Sequence, residues 1–223
     1  MKIAVICAMQ LETDRISEAL SEVWSHSYYG RTVREGLYAG HEIYLGVCGV
    51  GKSNAASFTQ LLLDRFGVEM IINVGVAGSL DDRLAISDIV LGNELYYHDF
   101  ARHLLEETYP YQAFFKADPE LLERAAEAVP EGVRVFTGPI ATGDQFVDNP
   151  EKKEAIRRQI GALACEMEGA AVAQVAAGAG IPFLILRSIS DGADEGLEGA
   201  FERCKHQAAA VAAESVLALI RTL

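Results

Sequence analysis

Basic residues are scarce in this chain. Nineteen lysines and arginines face 32 aspartates and glutamates, a formal net charge of −13 over 223 residues. Nucleic acid and anionic membrane both reward a basic face, so neither is the expected partner. A strongly anionic substrate would need a local basic cluster, and the sequence offers none. The four cysteines, Cys7, Cys48, Cys165 and Cys204, make no C-x-x-C pair, and the five histidines show no ligand spacing. That argues against a zinc site or a disulfide framework and fits reduced, mostly buried thiols in a cytoplasmic protein. Long hydrophobic runs are also missing. The opening "MKIAVICAM" turns polar at Gln10–Glu12, too early for a signal peptide or a membrane span, and reads as a first strand. With no repeat, low-complexity tract or linker, residues 1–223 are expected to form one domain with a sizeable core.

What is present is an alternation of short apolar runs and helical stretches. Strands are predicted at 2–8, 41–47, 69–78, 88–97, 133–142 and 182–190, several of them continuously apolar, as in strands covered on both faces. Helices are predicted at 10–22, 53–66, 118–128, 149–160, 167–178 and 200–222. The segment 28–47 alternates like an antiparallel meander. This order implies an α/β sandwich with a mostly parallel sheet. In such sheets ligands bind beyond the carboxyl ends of the strands, where "AMQLETD", "GVAGSL", "TGDQFVD" and "SISDGAD" fall.

Residues 46–53, "GVCGVGKS", match the phosphate-cradling pattern G-x-x-x-x-G-K-[ST] between a strand and a helix. A triphosphatase would place that loop after the first strand and pair it with a magnesium-holding Asp. Here the loop follows a later strand, and the motif alone does not make a nucleotide triphosphatase.

The acids are more informative. "ALACEMEGAAVAQVAAGAG" (162–180) has no charge after Glu168, so it reads as a buried helix with Glu166 and Glu168 at its mouth. A helix N-terminus favours negative charge, so Glu168 is expected to stay ionised and accept hydrogen bonds from hydroxyls; simple charge complementarity is the plainer reading. Asp191 ends the apolar run "PFLILRSIS", where a carboxyl is favoured as a proton donor, although an Asp there also suits a cap for the next turn. Glu12, just past the first strand, equally fits a first-turn helix acid. Three acids from distant segments meeting at one edge would supply a general acid, a general base and a hydroxyl anchor, the set needed to cleave a glycosidic bond.

The blocks "AM-x-x-E" (8–12), "GVGK" (49–52), "INVGVAGSL" (72–80), "TGDQFV" (142–147), "EMEGAAVA" (166–173) and "RSISDGAD" (187–194) resemble, in order, the 5′-methylthioadenosine/S-adenosylhomocysteine nucleosidases of the nucleoside phosphorylase/hydrolase superfamily. The resemblance implies a single-domain three-layer α/β/α sandwich with a central mixed, mostly parallel sheet, no cofactor or metal, an adenine nucleoside substrate and a homodimer. It implies that Asp191 protonates N7 of adenine and that Glu12 activates water, with Arg187 helping to orient it. Glu168 would grip the ribose hydroxyls and Met167 pack on the sugar. Phe146 would stack on the purine, and the backbone of Val147 would read its Watson–Crick edge. "GVGK" becomes a tight turn with Val50 near the sugar. Met9, Gly78, Ser190 and Phe201 complete the implied binding residues, Phe201 closing the 5′ pocket unless it is simple core packing.

Related phosphorylases carry an Arg and a Ser where this chain has Asn73 and Val76, and they lack Glu12. A carboxylate repels phosphate but can deprotonate water, so hydrolysis is favoured over phosphorolysis. Two departures from the nucleosidase pattern are Val76, where most members have Ser, and the segment 100–118, which leaves the 5′ substituent undecided among methylthio, homocysteinyl, hydroxyl and futalosine-type groups. The alternatives are a phosphorylase or futalosine-type nucleosidase of the same superfamily, or a nucleoside-binding protein without the chemistry.

Overall fold

The apolar runs become the inner strands of one ten-stranded sheet. The computed structural model describes residues 1–193 and 197–223, with side chains through 193 and from 201 onward; Asp194, the last residue of "RSISDGAD", lies outside them. In chain order the elements are β1 (Lys2–Cys7), α1 (Gln10–Ala19), β2 (Ser21–Tyr28), β3 (Arg31–Tyr38), β4 (His41–Val47), α2 (Lys52–Phe66), β5 (Met70–Ser79) and β6 (Ile89–Tyr97). There follow α3 (Arg102–Glu107), β7 (Phe115–Lys116), α4 (Pro119–Ala128), β8 (Val135–Thr142), α5 (Pro150–Ile160), β9 (Ala164–Glu166), α6 (Gly169–Ala179), β10 (Phe183–Asp191) and α7 (Leu197–Ile220).

Strands β4, β1, β5 and β10 run parallel side by side. The meander β2–β3–β4 is antiparallel, as the alternation over 28–47 indicated. Beyond β10 the sheet continues through β6, β8 and β9 and returns to β5, so these strands close on themselves. The closure gathers the carboxyl ends of β5 and β10 and the short β9 around one point.

Alternate residues of the central strands feed two cores. Ala4, Ile6, Ile71, Phe183 and Ile185 pack on the side of α2 and α6, while Ile3, Val5, Ile72, Leu184 and Leu186 pack on the side of α1, α4 and α7. The result is a three-layer α/β/α sandwich around a mixed sheet. Apolar on all sides, α6 is buried along most of its length, as its sequence required. Cys7, Cys48 and Cys165 are buried free thiols and Cys204 is partly covered. Among the described residues, no helix is long and apolar enough to cross a membrane.

Three local expectations need correction. The helix drawn over 10–22 stops at Ala19, where Leu20 turns extended, and β2 starts at Ser21. This edge strand leaves most of its side chains in solvent, so it carries no apolar alternation to read. Segment 100–118, for which the sequence indicated no element, holds α3 and β7. The helix drawn from 167 begins at Gly169, because residues 164–166 form β9.

Candidate active site

β1 ends at Cys7, and after the two residues Ala8 and Met9 α1 begins. Glu12 stands at the third position of that helix and turns its carboxylate back. One oxygen accepts from the N–H groups of Ala8 and Met9, both at 2.9 Å, and the other from Val76 N–H of β5 at 3.1 Å. Glu12 is therefore both the helix-start acid of the plainer reading and a tie between β1 and β5. It is buried, and burial raises its pKa above the ordinary carboxylate value against the opposing pull of the Arg187 guanidinium and the three amides. A carboxylate tuned upward suits a general base working near neutrality.

Asp191 closes β10. One oxygen accepts from Ser190 Oγ at 2.8 Å and the other from Ala193 N–H at 3.0 Å, so the turn-capping role is also met. Glycine is required where β5 passes these acids. A Cβ on Gly75 would lie 2.6 Å from Glu12 Oε1, and one on Gly78 would lie 2.9 Å from Asp191 Oδ1.

The paired acids of "EMEG" divide their work differently from the sequence reading. Glu166, at the end of β9, caps α6: its Oε2 accepts from Glu168 N–H at 2.9 Å and Gly169 N–H at 2.7 Å. Its other oxygen accepts from the Thr142 hydroxyl, which in turn accepts from Ala170 N–H at 2.8 Å. The helix N-terminus therefore holds Glu166, not Glu168. Glu168 turns away and accepts from Gly51 N–H at 2.8 Å. Burial, and next the Glu166 charge, raise its pKa, with Arg187 opposing. The expectation that the helix dipole keeps Glu168 ionised is thus replaced: its carboxylate faces the cavity with a raised proton affinity, because Glu166 already occupies the amides.

Arg187 is fully enclosed behind this wall. Its Nη2 donates to Glu166 Oε2 at 2.5 Å and to Asn73 Oδ1 at 2.6 Å, and lies 3.7 Å from Glu168 Oε2. Asn73 is anchored in turn, donating to Ile6 O at 2.9 Å. One guanidinium thus neutralises part of a buried acidic group, and its removal would leave those charges uncompensated.

These groups surround a cavity of about 260 Å³. Glu12, Glu168 and Asp191 line it, as do Met9, Val50, Gly78, Phe146, Val147, Met167, Ser190 and Phe201. Arg187 is the one residue of the sequence-based set that does not: it supports the floor from behind. Phe146 and Phe201 meet edge to face with ring centroids 6.0 Å apart. The apolar Val76 stands in the wall beside Glu12. Gln145, Cys165 and Glu166 also line the cavity and were not among the residues named for binding. Gln145 and Cys165 flank recognised residues, which was the only signal for them; β9 is too short to show a strand pattern.

The triphosphatase-like loop has already committed two of its amides to carboxylates. Gly51 N–H and Lys52 N–H, which would cradle a phosphate, each donate at 2.8 Å, to Glu168 and Asp144 respectively.

This sandwich, with a carboxylate-ringed cavity at the strand ends, matches the family model described as the phosphorylase superfamily over residues 2–221. The 5′-methylthioadenosine/S-adenosylhomocysteine nucleosidase of Bacillus velezensis is 37% identical over 234 aligned residues covering all of both chains. Among solved structures, the nucleosidase of that name from Neisseria meningitidis, in complex with methylthio-immucillin-A, superposes with a TM-score of 0.95 at 34% identity, covering 100% of this chain and 99% of that one. Futalosine hydrolase of Helicobacter pylori superposes at 0.94 with 32% identity, covering 100% and 98%. The chain belongs to the phosphorylase superfamily and, within it, to the 5′-methylthioadenosine/S-adenosylhomocysteine nucleosidases.

Proposed function

We propose that the protein hydrolyses the N-glycosidic bond of 5′-methylthioadenosine and S-adenosylhomocysteine, giving adenine and the corresponding free thioribose. The observation that carries this reading is the cavity wall itself. It presents four carboxylates, Glu12, Glu166, Glu168 and Asp191, from three distant segments, and among the described residues lining it there is no Lys or Arg to hold a phosphate nucleophile.

The adenine lies against Phe146 with its Watson–Crick edge toward the Val147 backbone. Asp191 gives a proton to N7 as the C1′–N9 bond breaks and its electron pair passes to the purine. Glu12 takes a proton from the water that attacks C1′, and Arg187 steadies Glu12 from behind. Glu168 accepts from the ribose hydroxyls beside Met167. Solvent then reprotonates Asp191 and takes the proton from Glu12. No cofactor enters these steps.

We take the working unit to be a homodimer in the cytoplasm, acting in thioadenosine salvage. The exposed Phe100, Leu104, Tyr109 and Tyr111 of segment 100–118 support a second copy packing there, and the buried free thiols support a reducing compartment.

The test is nucleobase release, compared by kcat/KM: adenine from 5′-methylthioadenosine, S-adenosylhomocysteine and adenosine, and hypoxanthine from futalosine. The apolar mouth of Met9, Val50 and Phe201 should favour the methylthio compound over adenosine by about tenfold or more, as expected when an apolar group replaces a hydroxyl in such a pocket. Release from futalosine alone would assign the chain to the other reading, and no release from any of the four would leave a binding protein.

A further inference from the structure

The lysine of "GVGKS" is not used by the glycosidic chemistry, yet it is held more firmly than a surface lysine. Lys52 Nζ donates to both oxygens of Asp99, at 2.6 and 2.7 Å, and lies 5.4 Å from the centroid of the Tyr97 ring. Its side chain is 20% exposed and that of Asp99 13%. Asp99 Oδ2 also accepts from Asp144 N–H at 2.8 Å. Asp144 completes the circuit, accepting from Lys52 N–H at 2.8 Å while its other oxygen lies 3.8 Å from Lys52 Nζ.

Two members of this triangle, Lys52 and Asp144, border different walls of the cavity. Asp144 immediately precedes Gln145, Phe146 and Val147, the nucleobase wall. Lys52 follows Val50 and Gly51, which supply the sugar wall and the N–H that holds Glu168. Asp99 stands at the exit of β6, just before the aromatic segment 100–118. The residue before Asp144 is fixed as well: Gly143 N–H donates to Glu166 O at 3.1 Å, and His98 packs so closely on Gly143 that a Cβ there would be 2.3 Å from His98 Nε2.

We propose that Lys52, Asp99 and Asp144 form an ion-pair latch that positions the nucleobase wall against the sugar wall, making Lys52 a positioning residue for adenine recognition. The proposal rests on the nucleosidase reading, since it takes the ligand of the 145–147 wall to be adenine. Two features fit a preformed latch. Burial would raise the Asp99 pKa, but the Lys52 bond and the Asp144 amide outweigh it and hold Asp99 below its ordinary value. The latch also accounts for the sequence pattern: the small residues of "GVG" bring the turn close to Asp144, whose Oδ1 would lie 3.0 Å from a Cβ on Gly51.

The experiment measures the adenine dissociation constant by calorimetry, together with KM, kcat and melting temperature. Lys52→Met should raise both the adenine dissociation constant and KM by about tenfold, the size expected from loosening one base-stacking wall, with a smaller change in kcat. Lys52→Arg should restore most of the loss. Asp144→Ala removes a half-exposed side chain and leaves the core alone; it should weaken adenine binding too, and the double variant should be no worse than Lys52→Met. A folded Lys52→Met protein that binds adenine like wild type would overturn the latch. So would a loss that Lys52→Arg does not repair, or, if Lys52→Met does not fold, wild-type adenine binding by Asp144→Ala. Failure of the nucleosidase reading shows separately, as a wild-type protein that releases no adenine.

Discussion

Asp191→Asn should abolish most turnover of 5′-methylthioadenosine, lowering kcat by about 10²–10⁴, the range for loss of a positioned general acid, while nucleoside binding persists. The local structure can absorb the change. The amide oxygen still accepts from Ala193 N–H, and Ser190 Oγ, which now donates to Asp191, can accept from the new amide and keep its other bond to Ala77 O. What disappears is the proton for N7. The melting temperature should therefore stay near that of wild type, and equilibrium binding of the uncleaved nucleoside should become measurable. Unchanged turnover would remove Asp191 from the mechanism.

Glu12→Gln should be as damaging to kcat, by about 10²–10⁴, and should cost stability as well. The three amides around Glu12 all donate: Ala8 and Met9 to one oxygen, Val76 to the other. Glutamine has only one oxygen. With that oxygen turned to the Ala8 and Met9 amides, its NH₂ faces the Val76 N–H, and a buried donor left without an acceptor costs about 1–3 kcal/mol. The wild-type pH profile offers an independent check. A base must be ionised to act, and burial raises the Glu12 pKa, so the acid limb of kcat should lie above the range of an ordinary glutamate. Stability should move the opposite way. For Glu12 and Glu168 the folded chain holds the proton more tightly than the unfolded chain does. Their contribution is full below the unfolded pKa and fades as pH rises through the raised folded value. An acid limb at the ordinary glutamate position would show that another group is titrating.

The two halves of the account were legible to different degrees. Central strands such as β1, β4 and β10 announce themselves because both faces are buried and the run stays apolar. The edge strand β2 does not, because its exposed side chains are under no such demand. At the site, ordered motifs pointed to most of the cavity-lining residues but not to Gln145, Cys165 or Glu166, and the division of labour between Glu166 and Glu168 was hidden. Two acids two residues apart look alike in sequence, and only the fold decides which one meets the amides of α6 and Arg187. Arg187 was misplaced for a related reason. Its presence near the acids was readable, but not that Asn73 and Glu166 hold it behind the cavity wall. The "GVGKS" loop shows the converse: a familiar phosphate pattern whose amides are already taken by Glu168 and Asp144.

The central claim is that water, activated by Glu12, is the nucleophile. Its most direct test is adenine release from 5′-methylthioadenosine in phosphate-free buffer and again with phosphate added, with the sugar product separated by chromatography. The account requires release without phosphate, at a rate that added phosphate does not raise, and free methylthioribose in both buffers. Release only with phosphate, giving a sugar 1-phosphate, would contradict it.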